Sequence, residues 1–207
     1  MNGVAALDDL DAIPFEEGFV WRPIRRRFGI RAFGTNAYTA DVGRQIVEDH
    51  VEGTGHEELY AVVRGRATFS LDGEEIDAPA GTFVFISDNS VRRAAIAEEE
   101  GTVVLAIGGF PGKAFEVSAW EWFFAATPFV EQERWDEAIA IHQDGLRERP
   151  GHPALLYNLA RTEARARRPL DAVVHLQEAV RRDPSLAERV RRESDFAAIR
   201  REPGFPA

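Results

Sequence analysis

The sequence predicts a multi-domain β + α protein, in which an all-β domain is followed by an all-helical domain. Three observations support this prediction. Between residues 30 and 108, short segments rich in β-branched and aromatic residues alternate with turn residues. After Ser118 the apolar residues recur with the period of a helix. Within the helical part, matching residues recur at a spacing of 34 positions.

Residues 1–28 show no sustained hydrophobic period and are predicted to form an N-terminal arm. Aromatic residues of this arm, among them Phe19 and Trp21, could pack against another part of the protein. The basic run at residues 25–27 is interpreted as a solvent-exposed edge, because charge runs usually face water.

Residues 29–112 are predicted to form the β domain. Asp72-Gly73 lies between two strand-like segments and predicts a hairpin with a type I′ turn. Many short strands in succession, without intervening helices, indicate a sandwich or barrel. The predicted strands cover residues 30–33, 37–40, 44–50, 58–63, 67–71, 74–77, 82–86, 92–97 and 102–107.

Residues 113–118 are predicted to be a linker and residues 119–207 a helical domain. Ser118 is a candidate N-cap for the first helix. Pro128 is expected to kink or split that helix, because proline cannot donate the backbone hydrogen bond. The predicted helices cover residues 119–124, a segment from 135 that ends before Pro150, and residues 154–166, 170–182 and 186–192.

The helical domain repeats with a period of 34 residues, and the matched residues are similar in size and character. The pairs are Trp122/Leu156, Ala126/Ala160, Ala138/Ala172, Gly145/Ala179, Leu146/Val180 and Pro150/Pro184. This pattern resembles the tetratricopeptide repeat (TPR), in which small residues let paired helices approach closely. The resemblance implies repeats at about residues 119–150 and 153–184, with a capping helix within residues 185–207.

The TPR resemblance implies a concave groove that binds a peptide or protein partner. The facing side chains would include Phe123, Tyr157, Asn158, Arg161 and Arg165. Asn158 with the two arginines partly resembles the clamp that some TPR domains use for a terminal carboxylate. The alternative is that these helices pack on the β domain or on a second subunit, since two repeats are fewer than an independent array usually needs.

Two motifs of the β domain resemble the cupin family of β-barrels (RmlC-like jelly rolls). The first runs from Glu58 to Gly65, with six residues between them, and the second is the Pro79-Ala80-Gly81 turn. The resemblance implies an N-terminal cupin-type barrel that binds a small molecule. Alternation along the strand predicts that Glu58, Tyr60 and Val62 face the interior, with Glu58 and Tyr60 as ligand-binding residues.

Metal-binding cupins carry histidines around these motifs, and this sequence departs from that pattern. Val84 stands where the second motif of the family has a histidine. On the preceding strand Glu48, His50 and Glu52 would share one face, and a Gly53-Thr54-Gly55 turn would bring His56 and Glu58 beside them. We therefore predict a metal site of His50, Glu52, His56 and Glu58 for Zn, Mn, Fe, Ni or Cu, with Glu48 as a further ligand-binding residue. The alternative is that these are ordinary polar residues at a strand end and loop.

Composition excludes several classes of protein. The chain has no cysteine, so disulfides, thiolate metal sites and cysteine nucleophiles are excluded. The formal net charge of −10 argues against non-specific binding to nucleic acid. No stretch is apolar enough to span a membrane and no secretory signal is recognisable, so a cytoplasmic location is expected. The excess of arginine and alanine suggests a bacterial genome of high GC content.

These observations leave two functional hypotheses. The first is a cupin–TPR fusion that binds a small ligand and a protein partner without strong catalysis. The second is a metal-dependent cupin enzyme of isomerase or dioxygenase type. A homodimer is also predicted, through apolar edge strands of the barrel or through the N-terminal arm.

Overall fold

The chain divides into two compact units in a computed structural model that describes residues 3–52 and 55–206. The first unit comprises residues 1–117 and the second residues 118–207. Among the described residues, no helix is long and apolar enough to cross a membrane. Each unit has its own hydrophobic core.

The described residues of the first unit form ten strands and a short helix. The strands are β1 (Ile13–Glu16), β2 (Phe19–Arg22), β3 (Gly34–Ala40), β4 (Gln45–Val51), β5 (Glu57–Arg64), β6 (Arg66–Leu71), β7 (Glu74–Pro79), β8 (Phe83–Ile86), β9 (Arg92–Ala97) and β10 (Thr102–Gly109). They form two antiparallel sheets, one of six strands in the order β1-β2-β3-β10-β5-β8 and one of four strands in the order β4-β9-β6-β7. The predicted β-rich class is confirmed, with the strands arranged as these two sheets.

The N-terminal segment joins the larger sheet and is not a separate arm. β1 and β2 form a hairpin, and β2 pairs with β3. Phe19 and Trp21 are buried while their neighbours on β2 are half-buried, which is the alternation of a sheet strand. The predicted strand at residues 30–33 is wrong. A short helix, α1 (Ile24–Phe28), is capped by Gly29 in the left-handed conformation, and the chain bends at residues 32 and 33 before β3 begins.

The core of the first unit is formed by side chains from both sheets, and β5 contributes Tyr60 and Val62 to it. The alternation predicted for this strand is therefore confirmed at these two positions. The predicted hairpin is also confirmed, because Asp72 and Gly73 have φ values of 50° and 88° and join β6 to β7. A type I′ turn requires positive φ at both central residues.

One edge of the six-stranded sheet presents apolar side chains to solvent. β8 is the edge strand, and Phe83 and Phe85 are 69% and 59% exposed. Across the β5–β8 ladder, Phe83 pairs with Ala61 and Phe85 pairs with Leu59. This outer face is thus apolar across at least two strands.

The second unit is helical and repeats with the predicted period. Its helices are α2 (Trp120–Glu131), α3 (Trp135–Glu148), α4 (Pro153–Arg165), α5 (Pro169–Arg182) and α6 (Leu186–Arg192). The bounds of α3 and α5 differ by 34 residues at both ends, and α2 and α4 end 34 residues apart. The two non-glycine residues with positive φ in this unit, Glu133 and Arg167, also match at this spacing.

Small residues occupy the contacts between these helices. Ala138 and Ala172 are fully buried at equivalent positions. A Cβ atom added to Gly145 would lie 2.8 Å from the Trp122 ring, so this glycine permits the approach of α2 to α3. Its equivalent in the next repeat is the buried Ala179.

α2 departs from the sequence prediction at two positions. The helix is not split at Pro128 and continues to Glu131, because proline removes only the one backbone hydrogen bond that its own nitrogen would have donated. Ser118 is not the N-cap; Ala119 precedes the helix and makes no side-chain capping bond.

The C-terminal residues cover the end of the repeats. α6 is followed by a 3-10 turn, Ser194–Phe196. Val190, Phe196 and Ile199 are buried in one cluster with residues of α4 and α5, including Tyr157 and Leu176. This is the covering that a terminal repeat requires.

Candidate functional site

A cluster of ionisable side chains lies where β4 ends and β5 begins. Ligand atoms of His50, Glu52 and Glu58 all lie within 4.8 Å of one another, and each residue is half-buried. His56 adjoins them, with its Nδ1 3.9 Å from Oε2 of Glu52. Gly53 and Thr54 of the predicted turn lie outside the described residues.

A β-bulge decides which residues of β4 join this cluster. Val47 pairs with Ala95 and His50 with Arg93, so three steps along β4 match two along β9. The extra residue breaks the simple alternation of side chains. His50 therefore shares the face of buried Arg93, while Glu48 is exposed. The prediction that Glu48 faces the interior with His50 is wrong for this reason.

The hydrogen bonding of His50 leaves one ring nitrogen free to act in the site. Its Nδ1 lies 2.7 Å from the backbone oxygen of Glu48, which only accepts, so Nδ1 carries the proton. Its Nε2 lies 3.9 Å from Oε2 of Glu58. In the neutral imidazole this places a lone pair opposite a carboxylate oxygen, an arrangement that suits a cation or a donor between them.

Glu58 is held by two interior residues. The Tyr60 hydroxyl donates to Oε2 of Glu58 at 3.0 Å, and Nη2 of Arg93 lies 3.2 Å from the same oxygen. Burial raises the pKa of Tyr60 well above its usual value, and the neighbouring Glu58 charge raises it further. Tyr60 therefore stays a hydroxyl donor at ordinary pH.

Arg93 is the residue of this site that the sequence analysis missed. Its side chain is fully buried, and its Nε, Nη1 and Nη2 have no hydrogen-bond partner among the described residues. The available signal was alternation along β9, where Arg93 shares its face with buried Ala95 and Ala97.

His56 and Val84 complete the surroundings. The His56 ring packs on Phe110 with 4.0 Å between ring centroids, and its Nε2 is buried without a hydrogen-bond partner in the described part of the chain. Val84 pairs with Tyr60 across the β5–β8 ladder and is buried. The imidazole nitrogens and carboxylate oxygens present are donors that fit a divalent metal ion.

A second candidate site is a pocket of about 180 Å³ in the helical unit. Four of the five predicted groove residues line it: Phe123, Asn158, Arg161 and Arg165. Tyr157 does not. It is buried, its hydroxyl donates to Glu193 at 3.1 Å, and its ring meets Phe196 edge-on. Burial raises its pKa to about 12.

The arginines of this pocket are already engaged within the chain. Arg161 donates to Oδ2 of Asp195 from Nε at 3.0 Å and from Nη2 at 2.7 Å. The Arg165 guanidinium lies over the Trp135 ring, 5.3 Å from its centroid. The charge of Arg161 is thus compensated by the C-terminal segment, which the sequence pattern could not indicate.

His142 is a further pocket residue that was not predicted. It is buried, with Nε2 3.1 Å from the Thr162 hydroxyl oxygen. Burial lowers its pKa to about 4 and Arg161 contributes in the same direction, so the imidazole is neutral at ordinary pH.

The repeat structure of the helical unit has a counterpart among known families. Residues 129–192 match the family model described as tetratricopeptide repeat. The resemblance drawn from the 34-residue spacing is thereby confirmed for this TPR region. Comparison with curated proteins gives no match.

Several solved structures are similar to the strand-rich half of the chain. One is KdgF from Halomonas sp., at 17% identity and a TM-score of 0.44, covering 53% of this chain and 92% of that one. An RmlC-like cupin from Shewanella frigidimarina has 14% identity and a TM-score of 0.42, covering 52% and 91%. A sugar phosphate isomerase of the cupin superfamily from Silicibacter pomeroyi has 14% identity and a TM-score of 0.43, covering 51% and 74%.

Proposed function

We propose that the chain is a cupin–TPR fusion with two binding functions. The strand-rich unit binds a small polar ligand at the cluster of His50, Glu52, His56 and Glu58, and the TPR region binds a protein segment. The observation that carries the first function is the convergence of His50, Glu52 and Glu58 within 4.8 Å beside the fully buried Arg93. Buried ionisable groups are costly unless they serve a ligand or each other.

The contacts inside the cluster support a site prepared for binding. Tyr60 and Arg93 hold the Glu58 carboxylate from the interior, and Phe110 supports the His56 ring. Side chains restrained in this way lose little conformational entropy when a ligand arrives.

A metal-dependent enzyme is the second candidate, and one observation favours it. The bond from His50 Nδ1 to a backbone oxygen leaves Nε2 directed at Glu58, which is how a metal-binding imidazole is usually oriented. His50, Glu52 and Glu58 would hold the ion, with His56 adjacent. A divalent ion bound there would act as a Lewis acid toward a ligand oxygen.

Calorimetric titration separates these candidates. Zn²⁺ and Mn²⁺ are titrated in separate experiments into the full chain, after dialysis against a chelator and then metal-free buffer. For the metal enzyme, the wild-type chain binds an ion, His50→Ala abolishes binding, and Glu48→Ala, on the exposed bulge of the same strand, leaves it unchanged. If wild type binds no ion while Val84→His creates a site, the metal-dependent candidate is eliminated. If His50→Ala binds as tightly as wild type, the ligand assignment is wrong.

Ligand binding is tested by thermal unfolding of the full chain with a panel of small polar metabolites. A compound that binds the folded chain at one hundred times its Kd stabilises it by about 2.7 kcal/mol. Such a compound should raise the unfolding temperature of wild type and of Glu48→Ala but not of His50→Ala or Glu52→Gln. Equal shifts in all four proteins would contradict the proposed site.

The protein-binding function rests on the TPR match and on the pocket beside Asn158 and Arg165. Asn158→Ala should weaken capture of a partner peptide selected on the immobilised chain, and Arg192→Ala, whose exposed side chain lies outside the pocket, should not. Equal retention by both variants would contradict the assignment.

A homodimer is part of this proposal. The exposed edge strand β8, with Phe83 and Phe85, is the surface that would pair between two copies. Light scattering should then give twice the 23.1 kDa chain mass, and Phe83→Glu should restore that single mass. A wild-type mass of one chain at micromolar concentration would contradict it.

A further inference from the structure

We infer that the small ligand of the strand-rich unit is a polyhydroxy acid, and that Arg93 receives its carboxylate. This inference rests on the proposed ligand-binding function and adds the chemical class of the ligand. It depends on the state of Arg93, on its contrast with Arg92 and on the charges around it.

Arg93 has donors that the protein does not satisfy. A guanidinium offers five N–H donors, and all three nitrogens of Arg93 lack a hydrogen-bond partner among the described residues. Among the described residues, its close charged partner is the Glu58 carboxylate, with Oε2 at 3.2 Å from Nη2. Because the side chain is fully buried, each unmade hydrogen bond carries a desolvation penalty. Arg93 therefore has more N–H donors than this one carboxylate can satisfy, and a ligand oxyanion would accept from the others.

The neighbouring Arg92, unlike Arg93, has hydrogen-bond acceptors for its guanidinium group. Arg92 is exposed on the opposite face of β9 and donates from Nε and Nη2 to the two oxygens of Asp49, at 2.7 Å and 2.8 Å. That paired geometry is the one in which a guanidinium recognises a carboxylate. On the interior face, Nε and Nη1 of Arg93 make no hydrogen bond to the described residues, so an incoming acid would take up the same paired geometry there.

The charges around Arg93 favour a singly charged ligand. Arg93 pairs with His50 of β4 and contacts Glu58, and the side chains of Glu58 and His50 are 18% and 33% exposed. A ligand carboxylate would reach the guanidinium by displacing the Glu58 carboxylate. Glu58 and Glu52 would repel a doubly charged phosphate, and they can accept hydrogen bonds from ligand hydroxyl groups.

The test is calorimetry of the full chain, in metal-free buffer, with three probes: gluconate, sorbitol and inorganic phosphate. Gluconate and sorbitol share a six-carbon polyhydroxy chain, but only gluconate carries a carboxylate. Wild type should bind gluconate at least about tenfold more tightly than sorbitol, since hydrogen bonds to charged groups are worth that much or more. Phosphate should bind more weakly than gluconate.

Arg93→Lys keeps the positive charge but loses the planar fork, so it should weaken gluconate binding by about tenfold or more. Arg92→Lys is the matched control on the opposite face of the same strand and should bind as wild type does. Circular dichroism establishes that each variant is folded. If Arg93→Lys is unfolded, the inference is tested by the ratio of the gluconate and sorbitol affinities of the wild-type chain.

Three results would overturn the inference. If sorbitol binds as tightly as gluconate, the unit has a ligand site but that site does not recognise a carboxylate. Phosphate binding more tightly than gluconate would assign the site to a dianion. Absence of binding by all three probes would reject a polyhydroxy acid, while the proposed ligand-binding function would still be decided separately by the metabolite panel.

Discussion

Two arginines at adjacent positions of β9 form ion pairs, one in the interior and one on the surface of the same unit. The loss of folding stability on breaking each pair can therefore be compared within one protein. Arg93 pairs with Glu58 in the interior at 3.2 Å, and Arg92 pairs with Asp49 on the surface at 2.7 Å. The substitutions are Glu58→Gln and Asp49→Asn. Both keep the shape of the side chain, remove its charge and replace one accepting oxygen by an amide NH2 donor.

The expected magnitudes differ several-fold. Removing one partner of a buried pair costs about 3–5 kcal/mol, because the other charge is left uncompensated in a low dielectric. Arg93 is fully buried but Glu58 is 18% exposed, which favours the lower end, about 3 kcal/mol. The Arg92–Asp49 pair has better geometry but is 62% and 47% exposed, so solvent screens the two charges and the loss of the pair should cost much less than the loss of the buried one.

Hydrogen exchange followed by mass spectrometry measures both effects on peptides from β5 and β9, separately from the helical unit. A loss of 3 kcal/mol corresponds to exchange faster by roughly two orders of magnitude, whereas Asp49→Asn should speed exchange by less than about tenfold. Equal effects of the two substitutions, or a larger effect of Asp49→Asn, would refute the reasoning that burial outweighs geometry here.

Three further predictions concern the helical unit and the segment before it. Phe196→Ala should destabilise the helical unit by about 3–5 kcal/mol, because the ring is fully buried. Urea unfolding, with hydrogen exchange followed on peptides from α4, measures this loss of stability. A loss under about 1 kcal/mol would contradict the capping role. The hydrogen bond with Glu163 raises the pKa of His175, although burial of the ring opposes this. Protonated His175 therefore stabilises the folded chain fully below about pH 6.5, and this stabilisation is lost as the pH rises through the raised pKa. The pH dependence of unfolding should flatten in His175→Gln; an unchanged profile would contradict this. Limited proteolysis should cut within residues 110–118, and cuts confined to the β hairpins would contradict the proposed linker.

The helical unit was predictable from sequence because its geometry repeats. Helices that pack in the same way twice need small residues at the same places, and Ala138 and Ala172 meet that need 34 residues apart. The turns at Glu133 and Arg167 show the limit of this reasoning. Positive φ at a non-glycine residue follows from the packing of the flanking helices, and neither side chain indicates it.

The site was predictable in part, and the error followed from one residue. His50, Glu52 and Glu58 converge as predicted, because alternation and chain return bring a strand end and a strand start together. The bulge between Val47 and His50 turned Glu48 outward, and a single extra residue in a ladder leaves no pattern in one sequence. Arg93 was missed because burial of a charge contradicts the usual rule for surface residues.

The covering of the repeats by Val190, Phe196 and Ile199 also bears on how such a chain could lengthen during evolution. These residues occupy the apolar face of α4 and α5 on which a following helix pair would stack. A duplicated unit inserted between α3 and α4 would meet compatible neighbours on both sides, whereas one appended after Ile199 would find its docking face already filled. The number of helix pairs in this architecture can therefore grow from within, with the terminal segment carried along unchanged.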